Sequence, residues 1–213
     1  MAIPPAKPAV LAANKTKKNN LSGKTWWKTN QGKTEFANST SISDLEANFK
    51  NNVTAFKKAI EDAGASIAVS TTKRSEKRAY VLHWAWKVSK GLVKANAVPA
   101  KVGVDIEWDH GSEAASKLGA KEIITEANVA YQPSLTSRHI QGKAIDWTIT
   151  WKSDLKIKKK DGTTVAISSQ PRHGGKGSAH NGNADFHAVG KTYGVTKASF
   201  TKIDGPHWST DGK

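Results

Sequence analysis

The chain has 213 residues, no cysteine and a formal net charge of +15 from 33 basic and 18 acidic side chains. This length can bury a core without cross-links, and the lack of cysteine excludes disulfide scaffolds, thiolate metal sites and thiol nucleophiles. Only four basic residues are arginine, the side chain on which nucleic-acid readers rely, so the charge favours general attraction to a polyanion.

The first 33 residues contain seven lysines and no acidic residue. This composition predicts a basic, partly flexible N-terminal arm over residues 1–40, followed by a domain over residues 41–213. Trp26 and Trp27 are expected to dock the arm on the domain, and the arm itself is either a solvated tail or a binding segment. No apolar run is long enough to span a membrane, and no basic segment precedes an apolar run as in a secretory signal. We therefore expect synthesis in the cytoplasm.

A strong amphipathic helix is predicted after this arm. Ser43 and Glu46 have the spacing of a capping box at a helix start, and Gly64 is expected to end the helix in a left-handed conformation. Between them, apolar residues recur at helical spacing: Leu45, Phe49, Val53, Phe56 and Ile60.

The remaining pattern mixes helices and strands without a repeat or a second domain boundary. A strand is predicted over 144–151, where Ile145, Trp147, Ile149 and Trp151 alternate with polar residues. The other predicted elements are a strand over 66–70, helices over 75–89, 112–118 and 184–193, a hairpin over 155–167 and a loop over 168–182. This order predicts one α+β domain in which helices pack on a small antiparallel sheet.

Two short segments contain the residues best suited to bind a metal. Residues 137–146 read S-x-H-x-x-G-x-A-x-D, and residues 204–208 read D-x-x-H-W. His139 precedes the predicted central strand, Asp146 lies on its polar face, and His207 would come from a neighbouring strand. Two imidazoles and one carboxylate can bind Zn²⁺, leave a position for water and lower the pKa of that water. Asp204 is then a candidate general base.

These two segments resemble the signatures of the zinc D-alanyl-D-alanine carboxypeptidase and L-alanyl-D-glutamate endopeptidase family. That family cleaves peptidoglycan and shares a fold with lysostaphin and the hedgehog signalling domain. The resemblance implies Zn²⁺ ligands at His139, Asp146 and His207, with Asp204 as the base. Residues 70–75 match loosely, without the tyrosine, a family segment whose arginine contacts substrate. This match implies substrate contact by Arg74, and Ser137 matches another residue implicated in substrate contact.

The resemblance implies a zinc peptidase that cleaves a peptidoglycan stem peptide, with phage endolysin as the cellular role. We expect a monomer that acts on the cell wall after release and binds neither nucleic acid nor a membrane by a spanning segment. A D-alanyl-D-alanine carboxypeptidase and an exported antibacterial effector with the same chemistry are alternatives. A non-enzymatic, basic, polyanion-binding protein is an alternative from a different class.

Overall fold

The computed structural model describes residues 20–169, 183–198 and 205–213. These residues form helices and strands in mixed order. The α-helices are α1 Lys24–Asn30, α2 Ala47–Asp62, α3 Glu76–Ser89, α4 Glu113–Glu126 and α5 Ala184–Thr192, with 3-10 turns at Ile42–Asp44 and Ala95–Ala97. The strands are β1 Ser66–Thr71, β2 Ala144–Thr150, β3 Leu155–Lys158, β4 Thr164–Ile167, β5 Thr196–Lys197 and β6 His207–Ser209. The predicted α+β class is therefore confirmed.

Four strands form one antiparallel sheet in the order β1-β2-β6-β5, and β3 pairs with β4 in a separate hairpin. Strand β2 is central, and its residue Asp146 is directly opposite His207 of β6. On its other side β2 pairs with β1, where the register shifts between Val69 and Thr71. The sheet thus brings two segments that are far apart in sequence to the same place.

One face of this sheet carries the main hydrophobic core. The side chains of Ile145, Trp147 and Ile149 on β2 are fully buried, as the alternation predicted. They pack with Trp208 of β6 and with the apolar stripe of α2. Phe56 of α2 lies at the centre of the aromatic packing, with its ring centroid 5.9 Å from that of Trp147 and 5.7 Å from that of Trp208.

A second apolar cluster lies among α1, α3 and α4. Trp26 and Trp27 are buried in it together with Phe36, so the two tryptophans do dock the N-terminal segment. The guanidinium of Arg78 lies 4.7 Å from the Trp27 ring centroid, in a cation–π contact. Packed structure therefore includes residues 20–40, inside the segment predicted as an arm, while residues 1–19 lie outside the described residues.

The start of α2 corrects one prediction. Ser43 lies in a 3-10 turn and does not cap the helix, which begins at Ala47. Instead, the Glu46 carboxylate accepts hydrogen bonds from the backbone N–H groups of Asn48 and Phe49, at 3.2 and 3.1 Å. These bonds lower the pKa of Glu46. The apolar stripe and the left-handed Gly64 at the helix end are as predicted.

The other predicted elements appear in the predicted order, with one difference in length greater than a residue or two. Helix α4 extends to Glu126, well beyond the predicted end at residue 118, because Ala120 and Ile123 continue its buried face. The predicted strands, the hairpin and the last helix are present. Most of the predicted loop, residues 170–182, lies outside the described residues. Within the described ranges, no helix has the length and apolar character needed to cross a membrane.

Candidate metal centre

The structure brings His139, Asp146 and His207 together on the polar side of the central strands. His139 Nε2 lies 3.1 Å from Asp146 Oδ1 and 3.1 Å from His207 Nδ1. His207 Nδ1 lies 3.0 Å from Asp146 Oδ1. The three atoms therefore form a nearly equilateral triangle. Asp146 and His207 reach it because their strands pair at these two residues.

The His139 ring is held by the loop that follows β1. Its Nδ1 lies 3.0 Å from the carbonyl oxygen of Thr72. A backbone carbonyl can only accept a hydrogen bond, so Nδ1 carries the proton and Nε2 presents its lone pair to the triangle. Thr72 is itself buried, and its hydroxyl donates to the carbonyl oxygens of Ser39 and Ser41. The orientation of His139 is thus fixed by a second layer of hydrogen bonds.

The His207 ring has the opposite tautomer for the same reason. Its Nε2 lies 3.1 Å from the carbonyl oxygen of Lys213. This contact places the proton on Nε2 and leaves the Nδ1 lone pair facing Asp146 and His139. Both imidazoles therefore present an acceptor to the centre, and each ring donates from its outer nitrogen to a main-chain carbonyl, as metal-binding histidines do.

The three converging groups create a buried site that attracts positive charge. His139 and His207 are only 2% and 5% exposed. Burial raises the pKa of the Asp146 carboxyl, and where the inward nitrogen of a histidine carries a proton, its hydrogen bond and charge lower that pKa by more, below its ordinary 3.8. A metal ion would take the place of such a proton and have the same effect. Asp146 is therefore ionised at neutral pH. A carboxylate and two inward-facing lone pairs in a poorly hydrated place favour a bound cation.

The dimensions of the triangle suit a transition metal. Ligand atoms about 2.1 Å from a tetrahedral zinc ion lie about 3.4 Å apart, and the three edges here fall within about 0.4 Å of that separation. Imidazole and carboxylate ligands also bind several other divalent ions. The group can therefore hold a metal ion through three protein ligands, which leaves room for water or substrate.

An open cleft of about 510 Å³ gives access to the two histidines. This cleft is lined by His139 and His207 and also by Arg74 and Ser137, for which the family resemblance implies substrate contact. The backbone N–H of Arg74 donates to the carbonyl oxygen of His139 at 3.1 Å, so the Arg74 backbone is fixed beside His139. Among the described residues, no acidic side chain forms an ion pair with the Arg74 guanidinium.

A second cavity of about 570 Å³ is also lined by Arg74. Its lining includes the charged side chains of Asp44, Lys73 and Glu76 and the amide of Asn38. Arg74 therefore lines both spaces.

The structure does not describe the last of the predicted site residues, the candidate base. Asp204 lies outside the described residues, three positions before His207 in the sequence. Trp208 lies under the site and within the core.

Sequence reasoning also missed three contributors to the centre. Thr72 and Lys213 act through main-chain carbonyls, which no side-chain pattern identifies. Asp211 pairs with Arg138 next to the ligand His139, and its only sequence signal is its position four residues after His207.

The chain matches no model of a protein family, no curated protein and no solved structure.

Proposed function

We propose that the protein is a zinc-dependent peptidase that hydrolyses a bond in the stem peptide of peptidoglycan, of the L-alanyl-D-glutamate endopeptidase type. The observation that carries this proposal is the buried triangle of His139 Nε2, Asp146 Oδ1 and His207 Nδ1 at the base of an open cleft. The two motifs that contain these residues resemble the zinc D-alanyl-D-alanine carboxypeptidase and L-alanyl-D-glutamate endopeptidase family. We also propose that the chain has the hedgehog-type fold of that family.

His139, Asp146 and His207 would hold the zinc ion in this enzyme. A zinc ion bound by three protein ligands supplies two kinds of chemistry, since it lowers the pKa of water and polarises a carbonyl group. The carbonyls of Thr72 and Lys213 keep both rings in the tautomers that bind a metal. Asp146, as a carboxylate, would supply the one negative charge among the ligands.

Asp204 would act as the general base in the hydrolysis. Its carboxylate would take a proton from the attacking water while the water oxygen bonds to the scissile carbonyl carbon. The same carboxyl would then give that proton to the leaving nitrogen as the C–N bond breaks, which yields one carboxylic acid and one amine. The position of Asp204, three residues before the ligand His207, agrees with the family motif.

Arg74 would orient the substrate beside the scissile bond. Its guanidinium can bind a carboxylate by two parallel hydrogen bonds, and stem peptides carry such groups. Ser137, in the same cleft, can donate or accept one further hydrogen bond. Arg74 also lines a second cavity, which would take the part of the substrate that an endopeptidase, unlike a carboxypeptidase, must accommodate beyond the cleaved bond.

We propose a role in bacterial cell-wall lysis, as in phage endolysins. The net charge of +15 would favour accumulation at the anionic bacterial envelope. An exported antibacterial effector with the same chemistry would show the same activity in purified form. Expression in the cytoplasm with and without a membrane-permeabilising partner tests the lytic activity that the two roles share, since lysis should occur only when the protein reaches the wall.

Digestion of purified sacculi tests the enzymatic proposal. The metal-loaded protein should solubilise peptidoglycan, a chelator should stop the release, and mass analysis should find fragments cut between L-alanine and D-glutamate. Release of free D-alanine alone would identify a carboxypeptidase instead. A protein that binds sacculi equally well with and without metal, and releases no fragment, would be the non-enzymatic polyanion binder.

A further inference from the structure

We propose that the Arg138–Asp211 ion pair is a positioning device for the ligand His207. The pair connects the two segments that supply the histidines, since Arg138 precedes His139 and Asp211 follows His207 by four residues. This inference rests on the proposed metal centre of the preceding section, and it assigns the pair no contact with substrate.

Arg138 is held at both ends of its guanidinium group. Its Nε donates to Asp211 Oδ1 at 3.2 Å, and its second terminal nitrogen donates to Asp211 Oδ2. The other terminal nitrogen donates to the side-chain oxygen of Gln141 at 3.1 Å. Two parallel bonds between arginine and a carboxylate fix direction as well as distance. Asp211 is therefore tied to the loop that carries His139.

Asp211 in turn shapes the turn that contains the outer partner of His207. Its Oδ1 accepts hydrogen bonds from the Ser209 hydroxyl and from the Lys213 backbone N–H, both at 3.3 Å. The Lys213 N–H also donates to Ser209 Oγ at 3.0 Å. These bonds determine where the Lys213 carbonyl lies, and that carbonyl accepts the Nε2–H of His207.

The energetic effect of the pair is expected to differ between stability and metal binding. Both side chains are 32% exposed, and ion pairs that are this accessible to water contribute little to folding. In contrast, loss of a partner that orients a metal-binding histidine typically weakens metal affinity by about 10–100-fold. A purely structural ion pair would alter stability alone.

Metal titration of matched variants tests the proposal. Asp211→Asn keeps the size of the side chain and removes its charge, and Arg138→Gln removes the other partner. The matched control is Asp62→Asn, which breaks the exposed Lys58–Asp62 pair of α2, remote in sequence from the ligands. Zn²⁺ affinity is measured by competition with a chromophoric chelator, the visible spectrum is recorded with Co²⁺ in place of Zn²⁺, and the melting temperature is measured without metal.

We expect Asp211→Asn and Arg138→Gln each to bind Zn²⁺ about 10-fold more weakly than the original protein. The Co²⁺ spectrum should change in both. The double variant should bind Zn²⁺ no more weakly than the single variant with the lower Zn²⁺ affinity, because the two residues act as one unit. Asp62→Asn should leave Zn²⁺ affinity and the Co²⁺ spectrum unchanged, and the melting temperatures of all these variants should be similar.

Unchanged Zn²⁺ affinity and an unchanged Co²⁺ spectrum in Asp211→Asn would overturn the proposal. Additive losses in the double variant would also contradict it. If the original protein binds metal and Asp211→Asn weakens that binding while sacculi stay intact, the positioning role holds and the peptidase proposal fails. An original protein that binds no divalent metal would overturn both proposals.

Discussion

Replacement of Gly142 by alanine is the sharpest test of how the fold positions the candidate metal ligands. Gly142 lies between His139 and Asp146 with φ at +67°, a region that favours glycine. Its N–H donates to the His139 carbonyl at 3.1 Å, and its carbonyl accepts the Glu46 N–H at 2.9 Å. An added Cβ would lie 2.9 Å from the Glu46 backbone nitrogen. The methyl group of the alanine would therefore clash with the backbone at the start of α2, which cannot easily shift.

Two separate costs can be worked out for this change. A non-glycine residue in the left-handed region costs about 1–2 kcal/mol, and forcing a methyl group against packed atoms costs about 1–3 kcal/mol. Gly162, in the turn between β3 and β4, has φ at +87° but no atom within 4 Å of an added Cβ. Gly162→Ala thus carries the first cost alone and serves as the matched control.

Urea unfolding of the metal-free proteins measures the difference. Gly142→Ala should lower the free energy of unfolding by about 2–5 kcal/mol, and Gly162→Ala by about 1–2 kcal/mol. Because the Gly142 turn holds the His139 loop, Gly142→Ala should also weaken Zn²⁺ binding, whereas Gly162→Ala should not. If both variants lowered the free energy of unfolding equally, the contact of the added methyl group with the Glu46 backbone would carry no cost of its own, and the reasoning would be wrong.

Three further outcomes are expected. His139→Ala removes a ligand and should weaken Zn²⁺ binding in calorimetry by more than the 10–100-fold typical of outer-shell changes; retained affinity would exclude His139 as a ligand. Asp204→Ala should keep full metal content and hydrolyse sacculi about 10²–10⁴-fold more slowly, and equal turnover would eliminate Asp204 as the base. The pKa of Glu46 is lowered from 4.5, so its stabilising contribution is complete above that value and declines as the pH falls. The free energy of unfolding should therefore depend less on acidic pH in Glu46→Gln than in the original protein, and equal slopes would rule out this cap.

The alternation along β2 was enough to predict its buried face and the polar face that carries Asp146. Ile145, Trp147 and Ile149 occupy one face, which is buried, and Asp146 lies on the other. The periodicity of α2 likewise predicted its buried stripe. These features follow from local periods of 2 and 3.6 residues, which the sequence displays directly.

Other features depend on contacts that no local pattern encodes. Helix α2 begins later than the sequence predicted. The Glu46 residue that precedes it donates its backbone N–H to the carbonyl of Gly142, a residue almost a hundred positions away. The carbonyls of Thr72 and Lys213 orient the histidines, yet any residue type supplies a carbonyl. The turn that contains Asp211 takes its shape from hydrogen bonds across the site. Such partners become visible only when the chain is folded.

The candidate metal centre depends on hydrophobic packing through the register of two strands. Ile145 is opposite Trp208 on the buried face, and Asp146 is opposite His207 on the polar face. A slip of one residue would turn Trp208 toward the cleft and His207 into the core. Loss of a buried tryptophan side chain costs about 3–5 kcal/mol, so the burial of Trp208 strongly disfavours that slip. The apolar side of β6 therefore determines which atoms meet on its polar side, before any metal binds.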